Sequence, residues 1–206
     1  MLIVFEGIDG SGKSTQAQKT YEWLRAIAPD RNPILTRQPG GTQLGVKVRE
    51  ILLNGGELLP EAEFYLFLAD RVQHVHEVII PALENNQIVI CDRWWYSTVV
   101  YQSILGGIEE WMVAHRCIEA SQQIHPNLTL WIDTEPFAAK ARAKGDRMDS
   151  KPFELYRQCQ NAYCRTLRKW CGVAHERIDG NGTEDEVFEQ VKGAIARRAK
   201  AWKIAV

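Results

Sequence analysis

Hydrophobic and polar positions along this chain follow two rhythms. Leu2, Ile3, Val4 and Phe5 form a short, continuously apolar, β-prone run, the pattern of a strand buried on both faces. Similar runs occupy residues 33–36, 88–91 and 128–132, with a weaker one at 175–178. Between them the apolar positions fall at helical spacing. Residues 14–27 carry Tyr21, Leu24 and Ile27; residues 46–53 and 61–83 continue the period, the latter expected to close near Pro81. Residues 97–104 and 108–124 read as helices parted by Gly106 and Gly107. A helix runs through Tyr156, Tyr163 and Trp170, and residues 183–201 form a last amphipathic helix. Strands alternating with helices predict an α/β fold, a five-stranded parallel sheet with helices on both faces. No repeat, low-complexity tract or linker divides the chain, so one domain over residues 1–206 is expected.

Composition narrows the classes. Apolar residues make up 45% and charged residues 25% of the 206 positions, and the net charge is -1. No global basic field draws the chain to nucleic acid or an acidic membrane. The N-terminal apolar run meets Glu6 too soon for a signal peptide or a membrane span. The five cysteines, Cys91, Cys117, Cys159, Cys164 and Cys171, form no C-x-x-C pair and no zinc-ligand spacing. Reduced thiols in a cytoplasmic protein are the simplest reading.

Candidate chemistry begins where the first strand ends. Residues 7–14, GIDGSGKS, fit G-x-x-x-x-G-K-[ST] at every fixed position. Gly7, Gly10 and Gly12 let backbone N–H groups turn inward around anionic oxygens, with Ser11 and Thr15 contributing to the same nest. The following helix points its positive end at the site. Lys13 can reach the β- and γ-phosphates of a nucleoside triphosphate, and Ser14 offers a hydroxyl to Mg²⁺. This is the signature of a P-loop NTPase-type, three-layer fold that binds ATP.

Two further features point from nucleotide binding toward phosphoryl transfer. The strand at 88–91 runs into Asp92, placed to act near Mg²⁺ directly or through water, and into Arg93 at the carboxyl end of the strand, where ligands of open α/β sheets bind. A local surface ion pair is the plainer reading of Asp92 and Arg93. The densest charge cluster, Lys140, Arg142, Lys144, Asp146 and Arg147, lies in a stretch at about 135–150 that reads as a short lid. A solvated helix face explains such runs too, but transfer of a phosphoryl group needs several cations and the loop supplies one lysine.

Taken together, several segments resemble the thymidylate kinase family: FEGIDGSGKSTQ at 5–16, TRQPGGT at 36–42, LFLADRVQH at 66–74, CDR at 91–93, Ser97, Tyr101 with Gln102, and Asp146 with Arg147. The similarity runs from residue 2 to about 190 in the family's order and approximate spacing. It implies transfer of the γ-phosphoryl of MgATP to dTMP, giving dTDP and ADP. By the same resemblance, Asp9 lies near the acceptor's 3′-hydroxyl, and Arg37 and Arg93 hold its 5′-phosphate. Phe67 stacks on thymine, Arg71 bonds a base carbonyl, Ser97, Thr98 and Gln102 belong to the acceptor site, and Tyr101 crowds the 2′ carbon. Lys13, Arg93, Arg142 and Arg147 are the implied catalytic cations. The class resembled carries its extra basic residues in the lid, as bacterial members do, and forms homodimers through helix faces.

The sequence departs from the family's pattern at Gln38, where Glu is frequent, at Trp94 and Trp95, and at Asp149. These bear on acceptor range more than on the reaction, and a kinase for another pyrimidine deoxynucleotide or for a deoxynucleoside is the enzyme alternative. A nucleoside acceptor needs a carboxylate base, for which Glu6 is the candidate. The alternative of another class is an ATP-dependent switch. Without the resemblance, Phe67 reads as core, Tyr156 and Tyr163 as a buried stripe, and residues 179–182 as a turn. His74 and His76 have the wrong spacing for a helical metal pair.

Overall fold

The structure, a computed structural model, describes residues 1–143, 151–171 and 175–202. The described residues form a five-stranded sheet in the order β2-β3-β1-β4-β5. The strands are β1 (Leu2–Glu6), β2 (Ile34–Arg37), β3 (Val89–Asp92), β4 (Leu128–Asp133) and β5 (His175–Asp179), and every neighbouring pair is parallel.

Burial on both faces explains why the central strands read as unbroken apolar runs. Leu2 and Val4 of β1 pack into one core with Val89, Cys91 and Trp131. Ile3 and Phe5 point the other way, into a second core with Ile90, Leu130 and Ile132. The second core is closed by α1 (Lys13–Ile27) and α9 (Glu184–Trp202), through Ala17, Leu24, Val187, Val191 and Ile195. The first lies under α3 (Pro60–His74), α5 (Trp95–Ile104), α6 (Glu110–Ala120) and α8 (Phe153–Trp170). Each fully buried aliphatic side chain contributes about 1.5–3 kcal/mol to this arrangement.

Several boundaries move from the sequence reading. The expected helix at 61–83 is α3, a π-helical turn at Val75–Ile79, and α4 (Ile80–Glu84). Pro81 does not close it: the wider turn ends with Ile80 N–H bonded to the Val75 carbonyl, and Pro81 then occupies the first turn of α4, where a missing N–H costs little. The helix expected at 108–124 shrinks to α6. Gln122 and Gln123 both have positive φ, 50° and 57°, which ends the helix before Ile124. Residues 95 and 96 join α5, and Gln43–Asn54 forms α2, started by the Thr42 hydroxyl accepting from Gly45 N–H at 3.0 Å. The stretch expected as a lid opens with α7 (Pro136–Arg142). Lys144, Asp146, Arg147 and Asp149 lie outside the described residues.

Candidate active site

The carboxyl ends of β1, β2 and β3 converge on the loop at 7–14. Gly10 has φ of 76°, and a Cβ there would run into the Ala139 carbonyl, so the loop touches α7 with bare backbone. Gly7 and Gly12 also have positive φ. Lys13 opens α1, is almost completely buried, and lies 3.4 Å from the Ile8 carbonyl and 3.7 Å from Asp9. Burial and the nearby Arg93 charge push the Lys13 pKa down, against the pull of Asp9, Asp92 and Glu6.

Ser14 Oγ donates to Asp92 Oδ2 at 2.6 Å. The other oxygen, Asp92 Oδ1, is buried with no hydrogen-bond partner among the described residues. A buried carboxylate oxygen left bare beside a hydroxyl fits a hydrated divalent cation. Arg37, about half-exposed, approaches the same carboxylate to 3.6 Å.

Arg93 has a positive φ of 72°, rare for a residue with a side chain. That turn aims its guanidinium back at the loop. It pairs with Asp9 and donates to the Gly7 carbonyl at 3.2 Å, Ser97 Oγ at 2.8 Å and Tyr163 Oη at 3.0 Å. Burial raises the pKa of Asp9, but the Arg93 and Lys13 cations outweigh it and hold the carboxyl below its usual value. Tyr101 donates to Asp9 Oδ2 at 3.1 Å and lies edge-on to Tyr163.

Two residues of this cluster make contacts that their sequence pattern does not announce. Tyr163 does belong to a buried stripe with Tyr156, yet its hydroxyl reaches the guanidinium; a seven-residue spacing carries no sign of that. Glu6 is completely buried and accepts from Trp94 N–H at 2.8 Å, from Ser97 N–H at 3.3 Å and from the Ser97 hydroxyl. It thereby caps α5 from a distant strand, and burial raises its pKa. An acid inside an apolar run was its only signal.

One side of α3 lines a cleft next to this cluster. Phe67, Asp70, Arg71 and His74 recur at helical spacing. Phe67 and Arg71 line a cleft of about 270 Å³ with Arg37, Arg93, Thr98 and Tyr101. Arg71 is buried, donates to Gln38 and to Thr98 Oγ1 at 2.7 Å, and lies 5.7 Å from the Trp94 ring centre. Gln102, also lining the cleft, donates to Glu63 at 2.9 Å. Trp94 and Trp95 are both fully buried; Trp94 forms part of the cleft wall and Trp95 packs on Tyr96. Arg49 of α2 is a further cation on this cleft that the sequence did not single out.

A second cleft, of about 580 Å³, opens on the other side of Lys13. Ser11, Gly12, Thr15 and Arg142 line it, together with Gly180, Gly182 and Thr183 of the turn after β5. Arg142 is exposed at the end of α7. The two clefts share Gly10, Lys13 and Ser14. Among the described residues no helix is long and apolar enough to cross a membrane, and no group of three His, Cys, Asp or Glu side chains is placed to hold a metal by itself.

Comparison with known proteins identifies the family. The thymidylate kinase family model matches residues 5–195. The chain is 38% identical over 212 residues to the thymidylate kinase of Oleidesulfovibrio alaskensis, covering 95% of this chain and 97% of that one. It is 34% identical over 221 residues to that of Trichodesmium erythraeum, covering 98% and 97%. Among solved structures, the thymidylate kinase of Ehrlichia chaffeensis superposes with a TM-score of 0.80 at 29% identity, over 95% of this chain and 98% of that one. With a family match across nearly its whole length and relatives above 30% identity, the chain belongs to the thymidylate kinase family.

Proposed function

We propose that the chain transfers the γ-phosphoryl group of MgATP to dTMP, yielding dTDP and ADP, with the larger cleft taking ATP and the smaller taking dTMP. The observation that carries this reading is the meeting of two clefts at one buried lysine, Lys13, with Arg37, Arg93 and Arg49 on the acceptor side. A nucleotide-dependent switch has no use for a second arginine-lined cleft.

The reaction follows from this arrangement. An acceptor phosphate oxygen attacks the γ-phosphorus, the bond to the β–γ bridging oxygen breaks, and ADP leaves with that electron pair. The acceptor oxygen is already ionised at neutral pH, so no general base is needed. Catalysis is then positioning and charge neutralisation. Gly7, Gly10, Ser11, Gly12, Lys13, Ser14 and Thr15 cradle the ATP phosphates. Lys13 and Arg93 neutralise the moving group, joined by Arg142 and Arg147 of the lid. Arg37 and Arg93 hold the dTMP phosphate, Phe67 stacks on thymine, and Arg71, Thr98 and Gln102 meet its polar edge. Asp9, Tyr101 and Ser97 border the sugar. Ser14 and Asp92 would hold Mg²⁺, directly or through water, which when bound neutralises β- and γ-phosphate charge.

The same reading makes residues 1–206 one kinase domain with a lid at about 135–150, acting in the cytoplasm as a homodimer. Exposed Tyr65 and Val72 on α3 are compatible with a helix-face contact. Glu6 is taken up in capping α5, which weighs against its use as the base for a nucleoside acceptor. The test is ADP release from MgATP with and without dTMP, dUMP, dCMP, dGMP and thymidine. Strong stimulation by dTMP is expected. Equal release with every acceptor and with none would return the chain to the switch class.

A further inference from the structure

The floor of the smaller cleft rests on a chain of side chains that the transfer step does not use. Arg71 donates to Gln38 Oε1. Gln38 Nε2 lies 2.8 Å from His74 Nδ1, and His74 Nε2 lies 2.6 Å from Thr36 Oγ1. His74 is completely buried and Gln38 nearly so. The imidazole is also tightly enclosed, since a Cβ on Gly41 would run into it.

Chemistry dictates the direction of every bond. Arginine offers five donors and no acceptor, so Gln38 must turn its oxygen to Arg71. The amide nitrogen then faces His74, and it can only donate. His74 Nδ1 must therefore accept, which leaves the ring uncharged with its proton on Nε2, given to Thr36. The electrostatics of the surroundings agree. Burial, and then the charge of Arg71, push the His74 pKa down to about 4. Asp70 on the same helix turns Oδ1 to the Gly40 N–H at 3.0 Å, and Arg49 of α2 donates to the Pro39 carbonyl at 3.3 Å. The thiols of Cys91 on β3 and Cys117 on α6, which face Arg71, are raised by burial, Cys117 to about 11. Asp70 is engaged with the Gly40 N–H, so burial and Arg71 set the charge of the imidazole.

Arg71 itself makes no ion pair with a carboxylate among the described residues, and its Nε is buried without a partner there. We propose that Gln38 and His74 are positioning residues for the acceptor's base, holding Arg71 by a one-way hydrogen-bond chain that fixes its guanidinium beside Thr98 and leaves its charge uncompensated. This rests on reading the smaller cleft as the dTMP site. The frequent family alternative at position 38, glutamate, has only acceptors. It would still hold Arg71 but would draw a proton onto His74 Nδ1, coupling the site to pH. Glutamine keeps the same hold without that coupling.

Two measurements test this. Long-range ¹H–¹⁵N NMR of the labelled full chain at pH 7 should find His74 protonated on Nε2 and bare on Nδ1, and Gln38→Glu should move a proton onto Nδ1. In steady-state kinetics, Gln38→Leu should raise the KM for dTMP about tenfold, one good charged hydrogen bond's worth, while kcat falls less than threefold and the KM for ATP stays put. Gln38→Glu should recover most of that loss and give a dTMP KM that varies between pH 5.5 and 8 more steeply than the wild-type value, which follows the substrate phosphate alone. A wild-type His74 protonated on Nδ1, an unchanged dTMP KM in Gln38→Leu, or no recovery by Gln38→Glu overturns the proposal. The tautomer needs no turnover, so it judges the chain separately from the wild-type acceptor panel, which judges the dTMP reading.

Discussion

The two clefts that meet at Lys13 are built in different ways. The larger is made mostly of contiguous backbone: the loop at 7–14 and the turn at 180–183, with Arg142 exposed at its edge. The smaller is made of side chains drawn from β2, α2, α3, β3 and α5, most of them already hydrogen-bonded to one another. A phosphate chain looks alike on every nucleotide, so repeated backbone donors suffice to bind it. A base and sugar must be told apart from close relatives, and that takes fixed polar side chains whose burial makes a wrong partner costly.

The contrast can be broken hardest at the seam. Lys13→Ala should lower kcat by at least about 10³-fold, as expected when a phosphate-neutralising cation is lost, while calorimetric dTMP binding survives; a kcat within tenfold of wild type would remove Lys13 from the centre. Arg93→Ala should cost on the order of 10²–10³ in kcat/KM for dTMP, and it also frees Asp9 and Tyr163 from their shared partner. A near-normal value would mean that Arg93 only packs the loop.

The buried side-chain character of the acceptor cleft also predicts a pH effect that the backbone-built cleft lacks. Burial, and then the Arg71 charge, push the His74 pKa down from its usual 6.5 to about 4. Below about 6.5 the unfolded chain takes up a proton that the folded chain refuses. This contribution to stability is therefore whole above 6.5 and is lost as pH falls toward about 4, amounting to about 3 kcal/mol over the window. Burial raises Glu6 and Asp70, so these give the opposite slope in its acidic part. Asp9, depressed by its cations, acts at lower pH still. The difference in urea stability between wild type and His74→Gln, followed from pH 7 to 5, isolates the His74 part; parallel curves would refute it.

The remaining pair should separate the two clefts. Phe67→Ala should raise the KM for dTMP about tenfold, the loss of roughly 1–1.5 kcal/mol of stacking, with the KM for ATP unchanged. Arg142→Ala should do the converse and less, about threefold on the ATP side, because its charge is exposed and screened. Equal effects of either substitution on both substrates would mean that the clefts are not independent sites.

These differences also decided how much could be read from sequence. The phosphate loop is eight consecutive residues between a strand and a helix, so its role is written in one place. Phe67 and Arg71 sit in a segment whose local pattern reads as core or plain helix face, and only the family resemblance singled them out. His74 carries no local signal, since its spacing to His76 suits no metal and its partners, Thr36 and Gln38, are more than thirty residues away. Pro81 reads as a stop under local rules, which do not register the π-helical turn before it.

By itself the sequence determined the alternation of strands and helices, the position of the nucleotide loop and, through several spaced motifs, the family. These are local or periodic features, fixed by side-chain chemistry within a few residues. Tertiary structure alone decided that Glu6 caps α5, that Tyr163 touches Arg93, and that Gln38 stands between Arg71 and His74. Each of those contacts joins residues more than thirty positions apart, and whether a buried polar group has a partner depends on packing that no local pattern records.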